Sequence, residues 1–246
     1  MESNGRPAGI LIAVEGIDGA GKTTQVVRLC DALSAVDEIA IRSKEPTNGP
    51  HGRRLRESAQ TGRLDAHEEL RIFIEDRREH VETVIRPALN RGEIVILDRY
   101  FYSTIAYQGS RTGHHPCELY QDMREFPTPD VTFLIDVAPE IGLHRISGRG
   151  DIPNEFERLD SLREIRRLFL ELRECAPEIH TINGFPDVDS VYHEIIHRLV
   201  DVLQAKRCVK PWGCDMLLCS YKETGECKWP VERARLLAQP APAVRG

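Results

Sequence analysis

The sequence predicts an α/β fold in which a five-stranded parallel sheet is covered by helices on both faces. Short runs of continuous apolar residues recur along the chain, and segments with apolar residues at helical spacing separate them. Continuous apolar strands that alternate with helices are typical of parallel sheets whose strands are buried on both sides. The first run also leads directly into a glycine-rich turn and then a helical pattern, which is the beginning of a β-loop-α unit.

The predicted elements follow one another in a regular order. Apolar runs of strand length occupy residues 9–16, 38–43, 93–98, 130–137 and, more weakly, 178–184. Helical patterns occupy residues 22–33, 67–90, 139–147, 155–174 and 188–204. The longest of these helices is expected to end before Gly92, because glycine is a common stop just after a helix.

Composition excludes several classes of protein. A net charge of −6 argues against a general nucleic-acid binder, which would normally have a basic surplus. The sequence has neither a signal-peptide pattern nor an apolar run long enough to cross a membrane, so we expect a cytoplasmic protein without a membrane partner. Seven cysteines in such a protein are expected to be thiols rather than a disulfide framework.

The composition of the chain changes near residue 205, where we expect a folded domain over residues 1–205 to give way to an extension over 206–246. The extension is turn-rich, its end is expected to be disordered, and it contains four cysteines, namely Cys208, Cys214, Cys219 and Cys227. Their spacing lacks the close Cys-x2-Cys pairs of strong zinc motifs. Structural zinc and reduced cysteines that pack as small apolar residues both remain open.

A phosphate-binding loop follows the first strand. Gly16-x4-Gly21-Lys22-Thr23 fits the P-loop pattern and lies between a predicted strand and a predicted helix, as that motif requires. Glycines let backbone N–H groups surround phosphate oxygens, the lysine reaches the outer phosphates, and the threonine hydroxyl binds Mg²⁺. The pattern predicts binding of a nucleoside triphosphate with Mg²⁺ by Gly16, Ile17, Asp18, Gly19, Ala20, Gly21, Lys22, Thr23 and Thr24.

Asp98 stands at the end of the third apolar run and is followed by Arg99. Ligands gather at the carboxyl ends of parallel strands, and a second carboxylate that organises the metal is normal there in this class of fold. We therefore predict that Thr23 and Asp98 hold Mg²⁺. The alternative is that Asp98 only caps the following helix.

The predicted helix at 67–90 has one polar position on its apolar stripe, which runs through residues 70, 73, 74, 77, 81, 84, 85 and 88. Arg77 occupies that position, one turn after Phe73. A ring and a guanidinium side by side can stack on a flat base and bind its edge. Alternatively, Phe73 is core and Arg77 forms an internal salt bridge.

Five segments together resemble the thymidylate kinase family, whose members are P-loop kinases that phosphorylate dTMP. They are EGIDGAGKTTQ at 15–25, KEPT at 44–47, Phe73-x3-Arg77, LDRYFYSTIAYQG at 97–109 and PDVTFLIDVAPEIGL at 129–143. The resemblance runs from about Ile10 to Val202 and implies transfer of the ATP γ-phosphate to dTMP, in a homodimer. A kinase of another nucleoside monophosphate and a non-catalytic nucleotide sensor are the alternatives.

The resemblance also implies individual roles. Asp18 would contact the 3′-hydroxyl of dTMP, Phe73 would stack on thymine, and Arg77 would bind its carbonyl edge. Arg99 would bridge the two phosphates, and Tyr107 would exclude a ribose 2′-hydroxyl. The remaining residues that the resemblance assigns to the acceptor site are Glu45, Arg56, Ser103, Thr104 and Gln108.

Family members place a catalytic arginine either in the phosphate loop or in a mobile lid. Here the loop position is Gly19, so the lid arginines Arg145 and Arg149 are implied to act together with Lys22, Arg99 and Asp18 in catalysis. The chain departs from the family at residues 154–157, Asn-Glu-Phe-Glu, where Asp-Arg-Phe-Glu is frequent. The segment at 110–128 is also shorter than the corresponding segment of the family, which borders the acceptor site.

Overall fold

A computed structural model describes residues 8–148, 158–207, 235–238 and 240–242. Five parallel strands form one sheet in the order β2-β3-β1-β4-β5. The strands are β1 (Ile10–Glu15), β2 (Ala40–Lys44), β3 (Ile94–Asp98), β4 (Val131–Asp136) and β5 (Ile179–Asn183). All five predicted strands and the parallel α/β architecture are confirmed.

Nine α-helices surround the sheet within the described residues up to 207. They are α1 (Lys22–Ser34), α2 (Pro50–Thr61), α3 (Ala66–His80), α4 (Arg86–Asn90), α5 (Phe101–Thr112), α6 (Pro116–Asp122), α7 (Pro139–Ser147), α8 (Leu159–Leu172) and α9 (Val188–Arg207). Helices α2, α5 and α6 were not predicted from the sequence. Helix α5 buries the polar side chains of Ser103, Thr104 and Gln108 together with apolar ones, so its buried face is not marked by apolar residues alone.

The predicted helix at 67–90 is confirmed as one continuous rod, but its predicted buried face is wrong in the first half. A π-helical turn, Val81–Ile85, joins α3 to α4. The side chains that α3 buries are Glu69, Ile72, Asp76, Arg77 and His80, so this face is mostly polar. Phe73 and Ile74 are only half-buried. The inward face of α3 is therefore built for polar contacts.

The topology opens a crevice at the carboxyl ends of β1, β2 and β3. The connection that leaves β1 runs through α1 to β2 on one side, whereas the connection that leaves β3 runs to β4 on the other. Ligands of open α/β sheets bind where neighbouring connections diverge in this way. Residues Val14 and Asp98 are in register, so the loops after β1 and β3 begin side by side.

The expectation that the cysteines are all thiols is wrong for one pair. Packing of α6 against α8 brings Cys117 and Cys175 together as a disulfide, with Cα atoms 5.7 Å apart. Cys30 is a free, half-buried thiol. The four cysteines of the extension lie outside the described residues, but Leu236 of that extension is fully buried in the core.

No helix within the described residues is both long and apolar enough to cross a membrane.

Candidate active site

The loop between β1 and α1 forms a cradle that only glycines can build. Gly19 and Gly21 have φ of 79° and 95°, a left-handed region that side chains rarely adopt. A Cβ atom on Gly19 would lie 2.2 Å from the carbonyl oxygen of Gly142. Among the described residues, no side chain caps the first turn of α1, whose N-cap is Gly21. The N–H groups of this turn can therefore bind an anion, which fits a nucleotide phosphate.

Lys22 is buried beside the loop. Its Nζ donates to the carbonyl oxygens of Gly16 at 3.0 Å and Ile17 at 2.8 Å. Burial and the charge of Arg99 lower the pKa of Lys22 to about 8, although Asp18 offsets part of the effect. A bound polyphosphate would supply the negative charge that favours the ammonium form of this side chain.

Thr23 and Asp98 lie against each other, as predicted for a metal-binding pair. The Thr23 hydroxyl, in the first turn of α1, donates to Oδ2 of Asp98 at the end of β3. Oxygen ligands of this kind suit Mg²⁺, so the donor set fits the predicted ion. The alternative role of Asp98 as a helix cap is wrong, because α5 begins at Phe101 with Tyr100 as its N-cap.

Two adjoining cavities occupy the crevice. The first, of about 270 Å³, is lined by Asp18, Gly19, Gly21, Lys22, Thr23, Thr24, Lys44, Glu45, Pro46, Arg56, Asp98 and Arg99. The second, of about 190 Å³, is lined by Asp18, Glu45, Pro46, Leu55, Arg56, Ala59, Arg63, Glu69, Phe73, Arg77, Arg99, Tyr100, Ser103, Thr104, Tyr107 and Gln108. Both are lined by Asp18, Glu45, Pro46, Arg56 and Arg99. The phosphate cradle therefore opens directly into a second, more apolar chamber.

Arg99 is fixed at the junction of the two cavities. It has a φ of 70° and forms an ion pair with Asp18. Its Nη1 donates to the Ser103 hydroxyl at 3.0 Å, and its guanidinium carbon lies 5.1 Å from the centre of the Tyr107 ring. The Tyr107 hydroxyl donates to Oδ2 of Asp18 at 2.7 Å. Side chains predicted from two separate segments, 15–25 and 97–109, therefore form one cluster.

This cluster keeps Asp18 ionised. Burial alone would raise the pKa of the Asp18 carboxyl, but the charges of Arg99 and Lys22 outweigh burial and hold it below its usual value. Conversely, burial would lower the pKa of Arg99, but the charges of Asp18, Tyr107, Glu15 and Asp98 together outweigh burial and raise it. The Asp18 carboxylate and the Arg99 guanidinium thus face each other as a fixed ion pair at the junction, with Lys22 on the side of the first cavity.

In the second cavity, Arg77 forms the internal salt bridge of the alternative interpretation, and its binding of a base edge stays a prediction. Arg77 lines the cavity with Phe73, yet it is fully buried and its Nη2 lies 2.7 Å from Oε2 of Glu45. The same Nη2 donates to the Thr104 hydroxyl at 2.7 Å. Glu45 also contacts Nδ1 of His80 at 3.0 Å. Glu45 therefore supports Arg77 and His80.

Gln108 and Arg56 complete the lining. Nε2 of Gln108 donates to Glu69 at 3.0 Å, and its buried Oε1 has no partner within the described part of the chain. Arg56 donates to the carbonyl oxygen of Pro46 at 3.0 Å and lies at both cavities. Gln108 and Arg56 therefore both line the second chamber, and Arg56 also lines the first.

The structure does not bring Arg145 into either cavity. Its guanidinium lies behind the loop, 3.4 Å from the carbonyl oxygen of Gly19 and 3.2 Å from that of Gly184. Arg145 is therefore a support of the loop backbone in this conformation, which differs from the prediction of a group on the transferring phosphate. Arg149 and the departure at 154–157 lie outside the described residues.

Glu15 ends β1, is completely buried and was not predicted as a site residue. Oε1 accepts from the Tyr100 amide at 2.7 Å and Oε2 from the Ser103 hydroxyl at 2.6 Å. Burial raises the pKa of Glu15 to about 7, although the Ser103 hydrogen bond and the charge of Arg99 offset part of the rise. A charged residue inside a continuous apolar run was the signal that could have identified it. Lys44, in the first cavity, was also missed.

Comparison with known proteins agrees with this site. The sequence profile of the family described as Thymidylate kinase matches residues 14–195. The chain is 50% identical over 202 residues to a thymidylate kinase of Xanthomonas euvesicatoria pv. vesicatoria, covering 82% of this chain and 88% of that protein. It is 44% identical over 201 residues to one of Xylella fastidiosa, covering 81% and 91% respectively. The chain belongs to the thymidylate kinase family.

Proposed function

We propose that the protein transfers the γ-phosphoryl group of ATP to the 5′-phosphate of dTMP, giving ADP and dTDP. Membership of the family supports an ATP- and Mg²⁺-dependent nucleoside monophosphate kinase. The observation that carries the proposal is the pair of adjoining cavities with Arg99 and Asp18 at their junction. One chamber suits a polyphosphate, and the other suits a base and sugar.

Charge and positioning account for the catalysis. The acceptor is already an anion, so the reaction does not need a strong general base; it needs two polyanions held within reach. We assign that task to Lys22 and Arg99, with Arg56 on the acceptor phosphate. Mg²⁺ held by Thr23 and Asp98 would neutralise charge on the donor phosphates.

Recognition of the acceptor is assigned to the second cavity. Phe73 stacks on the base, and Arg77, held by Glu45 and Thr104, presents its remaining guanidinium edge to a carbonyl group. The unpaired Oε1 of Gln108 is an acceptor for a ring N–H. These roles favour thymine over bases that lack a carbonyl group facing Arg77 and a ring N–H facing Gln108.

The sugar is assigned to the Asp18 side of the cavity. Tyr107 holds Asp18 through its hydroxyl and fills the space in which a 2′-hydroxyl would lie. Asp18 then accepts from the 3′-hydroxyl of deoxyribose. This arrangement favours a deoxyribonucleotide, because a ribose would have to displace the Tyr107 ring.

Four further parts of the proposal concern the whole protein. Residues 1–205 form the catalytic domain, with 206–246 as an extension. Arg149 acts as the lid arginine, so Arg149→Ala should mainly lower kcat. The protein is a cytoplasmic homodimer. Light scattering of the purified protein measures its molar mass and so tests whether it is a dimer.

The test of the function is a coupled ADP-release assay with dTMP, dUMP, dCMP, dGMP, dAMP and UMP as acceptors. We expect dTMP to give the highest kcat/KM. Turnover led by another nucleotide would make the protein a kinase of that acceptor. ATP binding without turnover on any acceptor would instead identify a nucleotide sensor.

A further inference from the structure

The buried Glu15 carboxylate is coupled to Arg99 through one hydroxyl group. Ser103 donates its hydroxyl hydrogen to Oε2 of Glu15 at 2.6 Å. The hydroxyl oxygen of Ser103 also accepts a hydrogen bond from Nη1 of Arg99 at 3.0 Å. A hydroxyl has one hydrogen and two acceptor lone pairs. Because the hydrogen is committed to Glu15, a lone pair of Ser103 is directed towards the guanidinium.

Glu15 also holds the backbone that carries Arg99. Its Oε1 accepts from the amides of Tyr100 at 2.7 Å and Ser103 at 3.3 Å, so it caps α5, which no side chain of its own N-cap residue does. Arg99 has a φ of 70°, a strained conformation for a residue with a side chain. The amide immediately after this strained residue is thus fixed by a carboxylate from another strand.

The Glu15 side chain does not reach either cavity and so cannot contact a bound substrate directly. Glu15 is 0% exposed and lines neither cavity, so it acts on bound nucleotides only through groups that do. Each of its three hydrogen bonds leads to the Arg99 turn or to the first turn of α5. Glu15 can therefore influence the orientation of the Arg99 side chain.

We propose that Glu15 is a positioning residue for phosphoryl transfer, which orients the Arg99 guanidinium through the Ser103 hydroxyl and the Tyr100 amide. This inference rests on the proposed function, since Arg99 must act on a phosphate for its orientation to affect turnover. Misplacement of a charged group by about 1 Å is enough to cost roughly 100-fold in rate.

The decisive variant is Glu15→Gln, which keeps the size of the side chain. The amide oxygen can still accept from the Tyr100 amide, but the NH₂ group then faces the Ser103 oxygen as a donor. The hydroxyl hydrogen loses its acceptor, and nothing fixes the lone pair towards Arg99. At pH 8 and saturating substrates we expect kcat to fall by roughly 10- to 100-fold, with the KM for ATP changed less than about threefold.

A double-mutant cycle separates positioning from general loss of structure. Ser103→Ala should lower kcat, and adding Glu15→Gln to it should lower kcat by less than about threefold more, because the two residues act through one hydroxyl. Ser103→Thr, which restores the hydroxyl, should recover most of the rate. If the fold decrease in kcat of the double variant equalled the product of the two single-variant decreases, the proposal would be overturned.

Tyr102→Phe is the matched control on the same helix. It removes a buried hydrogen bond of 2.5 Å to Glu178, on a side chain that lines neither cavity. We expect it to lower thermal stability and leave kcat within about twofold of the wild type. A similar kcat loss in Tyr102→Phe and Glu15→Gln would mean that Glu15 is merely structural.

A crystal structure of Glu15→Gln tests the same inference without turnover. The wild-type separation of Arg99 Nη1 and Ser103 Oγ is 3.0 Å. We expect this contact to be lost in the variant; an unchanged guanidinium position would overturn the proposal. Absence of acceptor-dependent turnover in the wild type would instead contradict the proposed function, so the two failures are distinguishable.

Discussion

Arg77 and Glu45 form a buried ion pair whose two parts can be separated experimentally. Their side chains are 0% and 4% exposed, and Oε2 of Glu45 lies 2.7 Å from Nη2 and 2.9 Å from Nε of Arg77. Arg77→Met removes the cation and keeps a long side chain beside Met123, whose sulfur lies 3.7 Å from Nη1. The Glu45 carboxylate then keeps only His80 as a side-chain partner in the described structure.

The expected cost follows from the burial of the pair. Loss of one partner from a buried ion pair typically costs about 3–5 kcal/mol, because an uncompensated charge remains in the interior. For a protein of this size that corresponds to a fall in melting temperature of roughly 10 °C. The double variant Arg77→Met/Glu45→Gln removes both charges and should recover most of the lost stability.

Urea unfolding of the wild type, both single variants and the double variant measures this directly. Arg78→Met is the control on the same helix, because Arg78 is half-exposed and its ion pairs lie at the surface; its unfolding midpoint should change little. The double variant should regain stability but not the KM for dTMP, since Arg77 is assigned to the base. A loss below about 1 kcal/mol in Arg77→Met, or strictly additive losses, would refute the reasoning.

Three other predictions concern the loop and the end of β1. Lys22→Met should lower kcat by at least about 1,000-fold without changing the fold, and steady-state kinetics with circular dichroism will test it. Gly19→Ala should abolish turnover and lower the melting temperature because its Cβ would strike Gly142, whereas Gly113→Ala, with φ 72° but open space, should cost only about 1 kcal/mol. The folded-state pKa of Glu15 is raised to about 7 from 4.5, so its stabilising contribution is complete below about pH 4.5 and is lost as the pH rises through 7. Between pH 4 and pH 8 the free energy of unfolding of the wild type should fall by roughly 3 kcal/mol relative to that of Glu15→Gln. If urea unfolding gave the same difference between the two proteins at every pH, this prediction would be wrong.

Local patterns were sufficient to predict the sheet and the phosphate cradle. The strands are continuous apolar runs, and the glycines of the loop stand at fixed spacing between β1 and α1. Both signals depend on neighbours along the chain. Helix α5 was not predicted because its buried side includes the polar residues Ser103, Thr104 and Gln108, whose partners Glu15, Arg77 and Glu69 come from distant segments.

The polar face of α3 could not be predicted for a related reason. Periodicity favoured Leu70, Phe73 and Ile74 as buried positions, but the structure buries Glu69, Asp76 and His80. Each of these polar side chains is matched by a partner from a distant segment: Arg111 for Glu69, Thr47 for Asp76, and Glu45 for His80. A stripe of polar residues reads as solvent-exposed until its partners are known.

The sequence by itself determined the fold class, the phosphate loop and the family, because each is encoded in contiguous motifs. Only the tertiary structure decided how the acceptor site is held together. Ser103 meets Glu15 across 88 positions, and Tyr107 meets Asp18 across 89. It also decided that Arg145 supports the loop from behind. Hydrogen bonds depend on distance and direction in space, and residues this far apart acquire both only when the strands pair and the helices pack.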